Sequence, residues 1–190
     1  MAGARAHPAA GLAGLALAAA AAAAPDPQTD PASGAATWTT QAHGVTLQLT
    51  QILPDQARAF YLARGFAAAD AELYATACVF MTVLRNDGAP GEIAFRLDDW
   101  RLDLDGARRA LPPLDDWLAL WRRRGVPEPA RIAFRWAQFP PAQAYAPGEW
   151  NQGMLAMQLP PGRRFSLVAR WQADGKTREG VLTDVRCAPR

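Results

Sequence analysis

Apolar and polar residues alternate with a period of two in five segments of the chain, and this alternation is typical of β-strands with one buried face. The segments are residues 45–51, 93–97, 100–104, 131–137 and 164–171. Turn-forming sequences stand between strands, namely RNDG at 85–88, DLDG at 103–106, LPPG at 159–162 and ADG at 173–175. The pattern therefore predicts a mainly β domain.

The phase of the alternation predicts which side chains face the core. In the first segment these are Val45, Leu47 and Leu49. We expect Trp136 and Trp171 to be buried, since each is an inward member of its segment. In the last predicted strand, the residues expected to share one face are Val181, Thr183, Val185 and Cys187.

The segment 78–84 is apolar on both faces. One face carries Cys78, Phe80 and Leu84, and the other carries Val79, Met81 and Val83. A strand of this kind is covered on both sides, so we predict that it lies centrally.

The two cysteines, Cys78 and Cys187, each fall on an apolar face of a predicted strand. In an exported protein such a pair most often forms a disulfide, and we predict a Cys78–Cys187 bond. A redox-active or metal-binding thiol pair is the alternative. It is less favoured because neither cysteine has a CxxC partner or an adjacent histidine or lysine that would activate it.

Helical signals interrupt the strands. Residues 111–129 predict a helix. Two prolines precede Asp115 and Asp116, which suit a helix start, and an apolar stripe follows. Three arginines at 122–124 suit the helix end, and Gly125 terminates it. The arginines are interpreted as helix-end charge rather than a binding patch. A second helix is predicted around 67–77, and 55–64 is either helix or an irregular extended segment, with helix preferred.

About eight strands, a central strand and one disulfide together predict an immunoglobulin-like β-sandwich with one or two short helices inserted. A small closed β-barrel is the alternative. Residues 38–190 are expected to form this single domain.

The N-terminus predicts export. Residues 1–24 have a basic start, an alanine- and leucine-rich centre and small residues at the end, as a signal peptide does. Residues 25–37 are rich in Pro, Ala, Asp, Ser and Gly and are predicted to be disordered. We expect a periplasmic or secreted protein without a transmembrane anchor after cleavage.

Charge and residue types exclude several functions. The formal net charge is +2 and no basic block is interleaved with aromatics, so nucleic acid is not an expected partner. His43, Ser33 and Ser166 make no credible nucleophile–base set, and no phosphate-loop or metalloprotease motif occurs. The acid pairs Asp98/Asp99 and Asp115/Asp116 are interpreted as turn and cap residues. No cofactor is expected.

The function predicted is therefore a non-catalytic binding or accessory module of the bacterial cell envelope, with a protein as its partner. One alternative is a periplasmic Cu(I)-handling protein, whose thioether and imidazole ligands would be His43, Met81, Met154 and Met157. Another is an enzyme whose carboxylates converge from distant strands.

The proline-rich stretch 138–154 is the predicted partner-binding site. It carries Phe139, Tyr145 and Trp150, which are costly to leave on a loop unless they pack or bind. The alternative is that these aromatic side chains fold back and cover one end of the sandwich.

Overall fold

The computed structural model describes Gly3 and residues 26–190. The predicted signal peptide, residues 1–24, lies outside the described residues apart from Gly3. The strands are β1 (Gln28–Thr29), β2 (Ala36–Ala42), β3 (Val45–Gln51), β4 (Val79–Asn86), β5 (Ile93–Arg96), β6 (Arg101–Leu104), β7 (Ala107–Ala110), β8 (Ala142–Tyr145), β9 (Trp150–Ala156), β10 (Arg164–Ala173) and β11 (Lys176–Arg186). The α-helices are α1 (Pro54–Leu62), α2 (Ala68–Ala75), α3 (Leu114–Arg123) and α4 (Glu128–Ala137).

The first sheet is antiparallel, with the strand order β1-β2-β3-β4-β9. β4 lies between β3 and β9, and both of its faces are covered. Phe80 and Leu84 are fully buried against the second sheet, while Val79 is buried on the opposite face. The prediction of an interior strand from its two apolar faces is confirmed.

The second sheet is built around β10, which pairs with β11 along one side. Along its other side lie β5 and β6, which form one strand interrupted by a 3-10 turn at Leu97–Asp99. The pairing register of β10 shifts by three residues across this turn, which bulges out of the sheet. β8 flanks β5 and β7 flanks β6.

The two sheets face each other across the larger apolar core, to which both sheets contribute side chains such as Leu47, Phe80, Phe95, Leu102 and Leu167. The sheets do not close into a barrel. The predicted mainly β, sandwich-like fold with short helices is confirmed.

A layer of helices covers the outer face of the first sheet. α1 to α4 enclose a second core with the outward side chains of Val79, Met154 and Ala156. Aromatic rings fill this core, including Tyr61, Phe66, Tyr74, Trp117, Trp121 and Phe134. The layer explains why β4 is apolar on both faces, and helices are confirmed at all three places where the sequence predicts them.

The Cys78–Cys187 disulfide is confirmed. It joins residues 109 positions apart, with a Cα–Cα distance of 5.0 Å, and both cysteines are buried. It ties the chain just before β4 to the chain just after β11.

The prediction of a strand at 131–137 is wrong, because residues 128–137 form α4. Pro127 and Pro129 flank its first residue, where proline suits a helix. Residues two apart on a helix point about 200° apart, so the apolar set does not share a face. Phe134 is buried, whereas Ile132 is 51% exposed and Trp136 is 83% exposed. Trp136 is therefore a surface residue and not the core residue expected.

The predicted face of β11 is partly wrong. Val181 is 42% exposed, while Leu182, Val185 and Cys187 are buried. A β-bulge interrupts the pairing with β10 here, and Asp184 has a φ of +51°. The extra residue exchanges the two faces of the strand. The side chains that face the core therefore have even residue numbers before the bulge and odd residue numbers after it.

The structure of residues 26–37 differs from the prediction that residues 25–37 are disordered. Gln28 and Thr29 pair with Thr37 and Ala36, and Asp30 caps the turn through its carboxylate, which accepts two backbone N–H bonds at 2.8 Å. The backbone bonds lower the pKa of this exposed carboxyl. Pairing at the edge of a sheet uses backbone groups and needs no apolar side chains, so a polar composition does not exclude it.

Candidate binding surface

A groove of about 890 Å³ opens where the start of α3 and the end of α4 meet the edges of both sheets. Its lining comes from the 3-10 turn, the segment 111–115, the segment 135–141 and two edge strands. Two proline pairs, Pro112–Pro113 and Pro140–Pro141, stand in these segments. Because proline fixes φ, the walls of the groove lose little conformational entropy when a ligand binds.

Trp136 stands at this groove with 83% of its surface exposed. Ile132, one helical turn earlier and 51% exposed, lies on the same side of α4. Contact between α4 and the helical core is made through Ala130 and Phe134, on the opposite side. The Ile132–Trp136 pair is thus an apolar surface that the packing of residues 26–190 does not use.

The backbone below Trp136 is held in place by Gln138. Its side-chain carbonyl accepts a bond from the Tyr74 hydroxyl at 2.7 Å, and its amide donates to Tyr61 Oη at 2.9 Å and to the Phe134 carbonyl at 3.1 Å. Burial raises the pKa of Tyr61 and of Tyr74 well above the ordinary value, so both hydroxyls stay protonated donors. The end of α4 is therefore firmly anchored to the core, and Trp136 projects from a rigid support.

The charged side chains of the groove are accessible to water. Asp115 lies 4.0 Å from Arg135 and its side chain is 87% exposed, while Asp98 lies 3.1 Å from Arg96 and is 74% exposed. Exposed pairs of this kind contribute little to stability. Neither carboxylate is enclosed in an apolar setting of the kind that tunes a catalytic acid.

The three aromatic residues predicted to bind a partner have different environments. Phe139 and Tyr145 are each 1% exposed and stack on Phe95, with ring centroids 5.4 and 5.7 Å away. They belong to the inter-sheet core, and Phe139 also forms part of the floor of the groove, so both present little side-chain surface to a partner. Trp150 is 52% exposed on β9 and is still available.

The four residues of the copper alternative are not brought together. Met81 and Met154 are opposite each other on β4 and β9, and the Met154 sulfur accepts a bond from the Tyr61 hydroxyl at 3.2 Å. Met157 belongs to the other core, between the sheets, and His43 occupies the β2–β3 turn at the far end of β3. Within residues 26–190, no cluster of three or more His, Cys, Asp or Glu side chains could hold a metal ion.

The two acid pairs of the sequence are also separated. Asp98 and Asp115 line the groove, whereas Asp99 and Asp116 line two other surface depressions. Each pair therefore divides between different sites, and the groove brings together one member of each pair, Asp98 and Asp115.

Comparison with models of known protein families, with curated proteins and with solved structures finds no match to this chain. The described helices include none that is long and apolar enough to span a bilayer. The buried disulfide fits a protein of an oxidising, extracellular-type compartment.

Sequence reasoning missed Trp136 as a surface residue. The usable signal was the prolines at 127 and 129, which open a helix more readily than a strand. On a helix, Phe134 and Trp136 point to opposite sides, so they cannot share one buried face.

Proposed function

We propose that the protein is a non-catalytic binding module of the bacterial cell envelope whose partner is another protein. The observation that carries this proposal is the Ile132–Trp136 pair, exposed on a rigid helix at the mouth of a proline-walled groove. The sequence-based candidates Phe139 and Tyr145 are replaced by this surface, and Trp150 is retained.

Trp136 has the properties of a residue that anchors a complex. Covering a tryptophan side chain removes on the order of 150–200 Å² of surface from water, which is worth about 4–5 kcal/mol before the cost of association. Tryptophan is enriched among the few residues that dominate binding energy. Since α4 is anchored through Gln138, a partner would not have to order this part of the surface.

Export to the periplasm or beyond is supported by two independent features. One is the disulfide, which persists in oxidising compartments. The other is the basic, then apolar, then small-residue order of residues 1–24.

The test is a comparison of three variants. Trp136→Ala should change the free energy of unfolding by less than about 1 kcal/mol, because the side chain is exposed, and should reduce partner capture at least tenfold. A photo-crosslinking amino acid at position 136 should trap a discrete protein in intact cells. The matched control is position 181, where Val181 is an exposed apolar residue on β11.

Crosslinking of the same proteins from positions 136 and 181 would contradict the proposal, because it would show unspecific contact. A loss of several kcal/mol in Trp136→Ala would contradict it too, because the side chain would then belong to the core.

A further inference from the structure

The edge strand of the first sheet, β9, forms part of the groove. Asn151 and Gln152 line it together with Trp136. β9 pairs with β4 on one side, and its pairing register is constant from Trp150 to Ala156. What lies on the other side of β9 is therefore decisive for what the groove can bind.

The register shows which backbone groups of β9 point outwards. At the two ends of the pairing, the Asn86 N–H donates to the Glu149 carbonyl and the Met157 N–H donates to the Cys78 carbonyl, both at 3.0 Å. In an antiparallel ladder, such bonded positions alternate with positions whose groups face away. Glu149, residues 151 and 153, and Met157 thus face β4, and the backbone groups of residues 150, 152 and 154 face outwards.

Two contacts confirm this alternation. The Met154 carbonyl accepts an outward bond from the Phe139 N–H at 2.8 Å, in a parallel bridge between Gln138 and Met154. The Gln152 N–H donates at 2.7 Å to the side chain of its own neighbour, Asn151 Oδ1, and not to β4. The edge of β9 is therefore already used at Met154, whereas the Gln152 N–H is bonded to the half-buried side chain of Asn151, whose amide donates to Gln143 Oε1 at 3.1 Å. An acceptor from a ligand can replace Asn151 Oδ1 at this N–H.

The side chains along this edge suit an extended peptide. Trp150 and Gln152 are two positions apart and share the face of β9 that carries Met154, which is the face covered by the helices. Trp136 is on that same side, at the end of α4. A strand laid along β9 would thus place alternate side chains against two exposed tryptophans.

The charge of the groove favours a basic peptide. Its charged lining residues are Asp98, Asp115 and Arg135. The Asp115 side chain is 87% exposed, and its ion pair with Arg135 is long, at 4.0 Å. Within residues 26–190, its carboxylate is therefore accessible to a cation from a ligand.

We propose that the groove binds an extended segment of the partner as an added strand on β9. The segment carries alternating apolar side chains that contact Trp136 and Trp150 and a lysine or arginine that pairs with Asp115. Backbone hydrogen bonds to Trp150 and Gln152 supply affinity, and the side chains supply specificity, as in other cases of strand addition to a sheet edge. This inference rests on the proposed protein-binding function and names the form of the partner.

The probe is a library of random ten-residue peptides displayed on phage, selected on the oxidised protein. The strongest peptide is then synthesised, and its Kd is measured by fluorescence anisotropy. We expect a selected sequence with alternating apolar residues and at least one basic residue. Asp115→Asn should weaken its binding about three- to tenfold, and added salt should have a similar effect.

Two variants at one position separate the backbone from the side chain. Gln152→Pro removes the outward N–H without removing a bond to β4, and proline is tolerated at such edge positions. It should weaken peptide binding at least tenfold. Gln152→Ala keeps the N–H and loses only the side chain, so it should bind the peptide at least threefold more tightly than Gln152→Pro does. Equal binding by the two variants would overturn the proposal.

N-methylated peptides provide a test that does not depend on the folding of a variant. Two peptides are compared, one methylated on its odd-numbered and one on its even-numbered backbone nitrogens. One of them should not bind and the other should bind nearly as well as the unmethylated peptide, because only alternate N–H groups of a strand face its neighbour. If both methylated peptides lose binding, or if neither does, the proposal of an added strand is wrong.

The two proposals fail in different ways. If no peptide is enriched over a parallel selection on Trp136→Ala, strand addition is wrong, although position 136 can still crosslink to the folded surface of a partner. If position 136 crosslinks to nothing in cells, the proposed function fails, whatever the peptides do.

Discussion

Reduction of the Cys78–Cys187 disulfide should destabilise the protein strongly without changing its native structure. Both cysteines are buried, and the chain around them is held by other bonds. The Cys187 N–H donates to the Arg163 carbonyl at 2.9 Å, and Gln51 Nε2 donates to the Arg186 carbonyl at 2.8 Å. Because these contacts persist without the covalent bond, the effect of reduction falls mainly on the unfolded chain.

The magnitude follows from the length of the closed loop. The cysteines are 109 positions apart, and the chain-entropy relation gives about 4–5 kcal/mol at 25 °C for a loop of this size. Stabilities of single domains are about 5–15 kcal/mol. Reduction should therefore remove about a quarter or more of the free energy of unfolding.

The assay is urea unfolding of the oxidised and the fully reduced protein, followed by tryptophan fluorescence. Free energies must be compared rather than midpoints, because the reduced chain expands further when it unfolds and its m-value rises. The matched control is the Cys78→Ala/Cys187→Ala double variant, which loses the same crosslink and adds a small cavity. It should be slightly less stable than the reduced protein, and both should keep the far-UV spectrum of the oxidised form.

A difference below about 1 kcal/mol between oxidised and reduced protein would refute this reasoning, since it would mean that the unfolded chain is hardly constrained by the bond. Loss of the native spectrum on reduction alone would refute the claim that neighbouring contacts hold the native arrangement.

Two further predictions follow from the cores. Trp171→Ala should lower the free energy of unfolding by about 3–5 kcal/mol, because its side chain is 2% exposed and its ring lies against Gly180; a loss below about 1 kcal/mol in urea unfolding would contradict the burial. Stability should be full below about pH 10 and fall as the pH rises further, because the folded state keeps the protons of Tyr61 and Tyr74 while the unfolded chain loses them near pH 10. Unfolding measured at pH 9, 10 and 11 should show this slope, and Tyr61→Phe should flatten it; an unchanged slope in Tyr61→Phe would assign the effect to other groups.

Much of the sandwich is predictable because period-two patterning reports burial directly. Val45, Leu47 and Leu49 are all buried on β3, and the two apolar faces of β4 correctly indicate cover on both sides. The disulfide follows from the same logic, since each cysteine lies on a buried face.

Local backbone changes account for the failures. The bulge at Asp184 inserts one residue into β11 and reverses the phase, and nothing in the apolar pattern marks that position. In 128–137, the alternation of Ile132, Phe134 and Trp136 matches a strand template over a short window, but the prolines at its start favour a helix. Such a pattern is ambiguous until flanking residues are weighed.

The binding surface could not be predicted for a different reason, which is that it depends on topology. Whether β9 is an edge strand depends on which strands share its sheet, and its neighbour β4 is more than sixty positions earlier in the chain. The chain from α4 uses that edge at Met154 and then leaves it to form β8 in the second sheet. This departure opens the groove and places the anchored end of α4 beside it. Among residues 26–190, no strand pairs with Gln152 on the side of β9 that faces away from β4. An open sheet edge next to an exposed tryptophan favours aggregation unless a ligand covers it. The comparison of peptide binding by Gln152→Pro and Gln152→Ala decides whether this edge binds such a ligand.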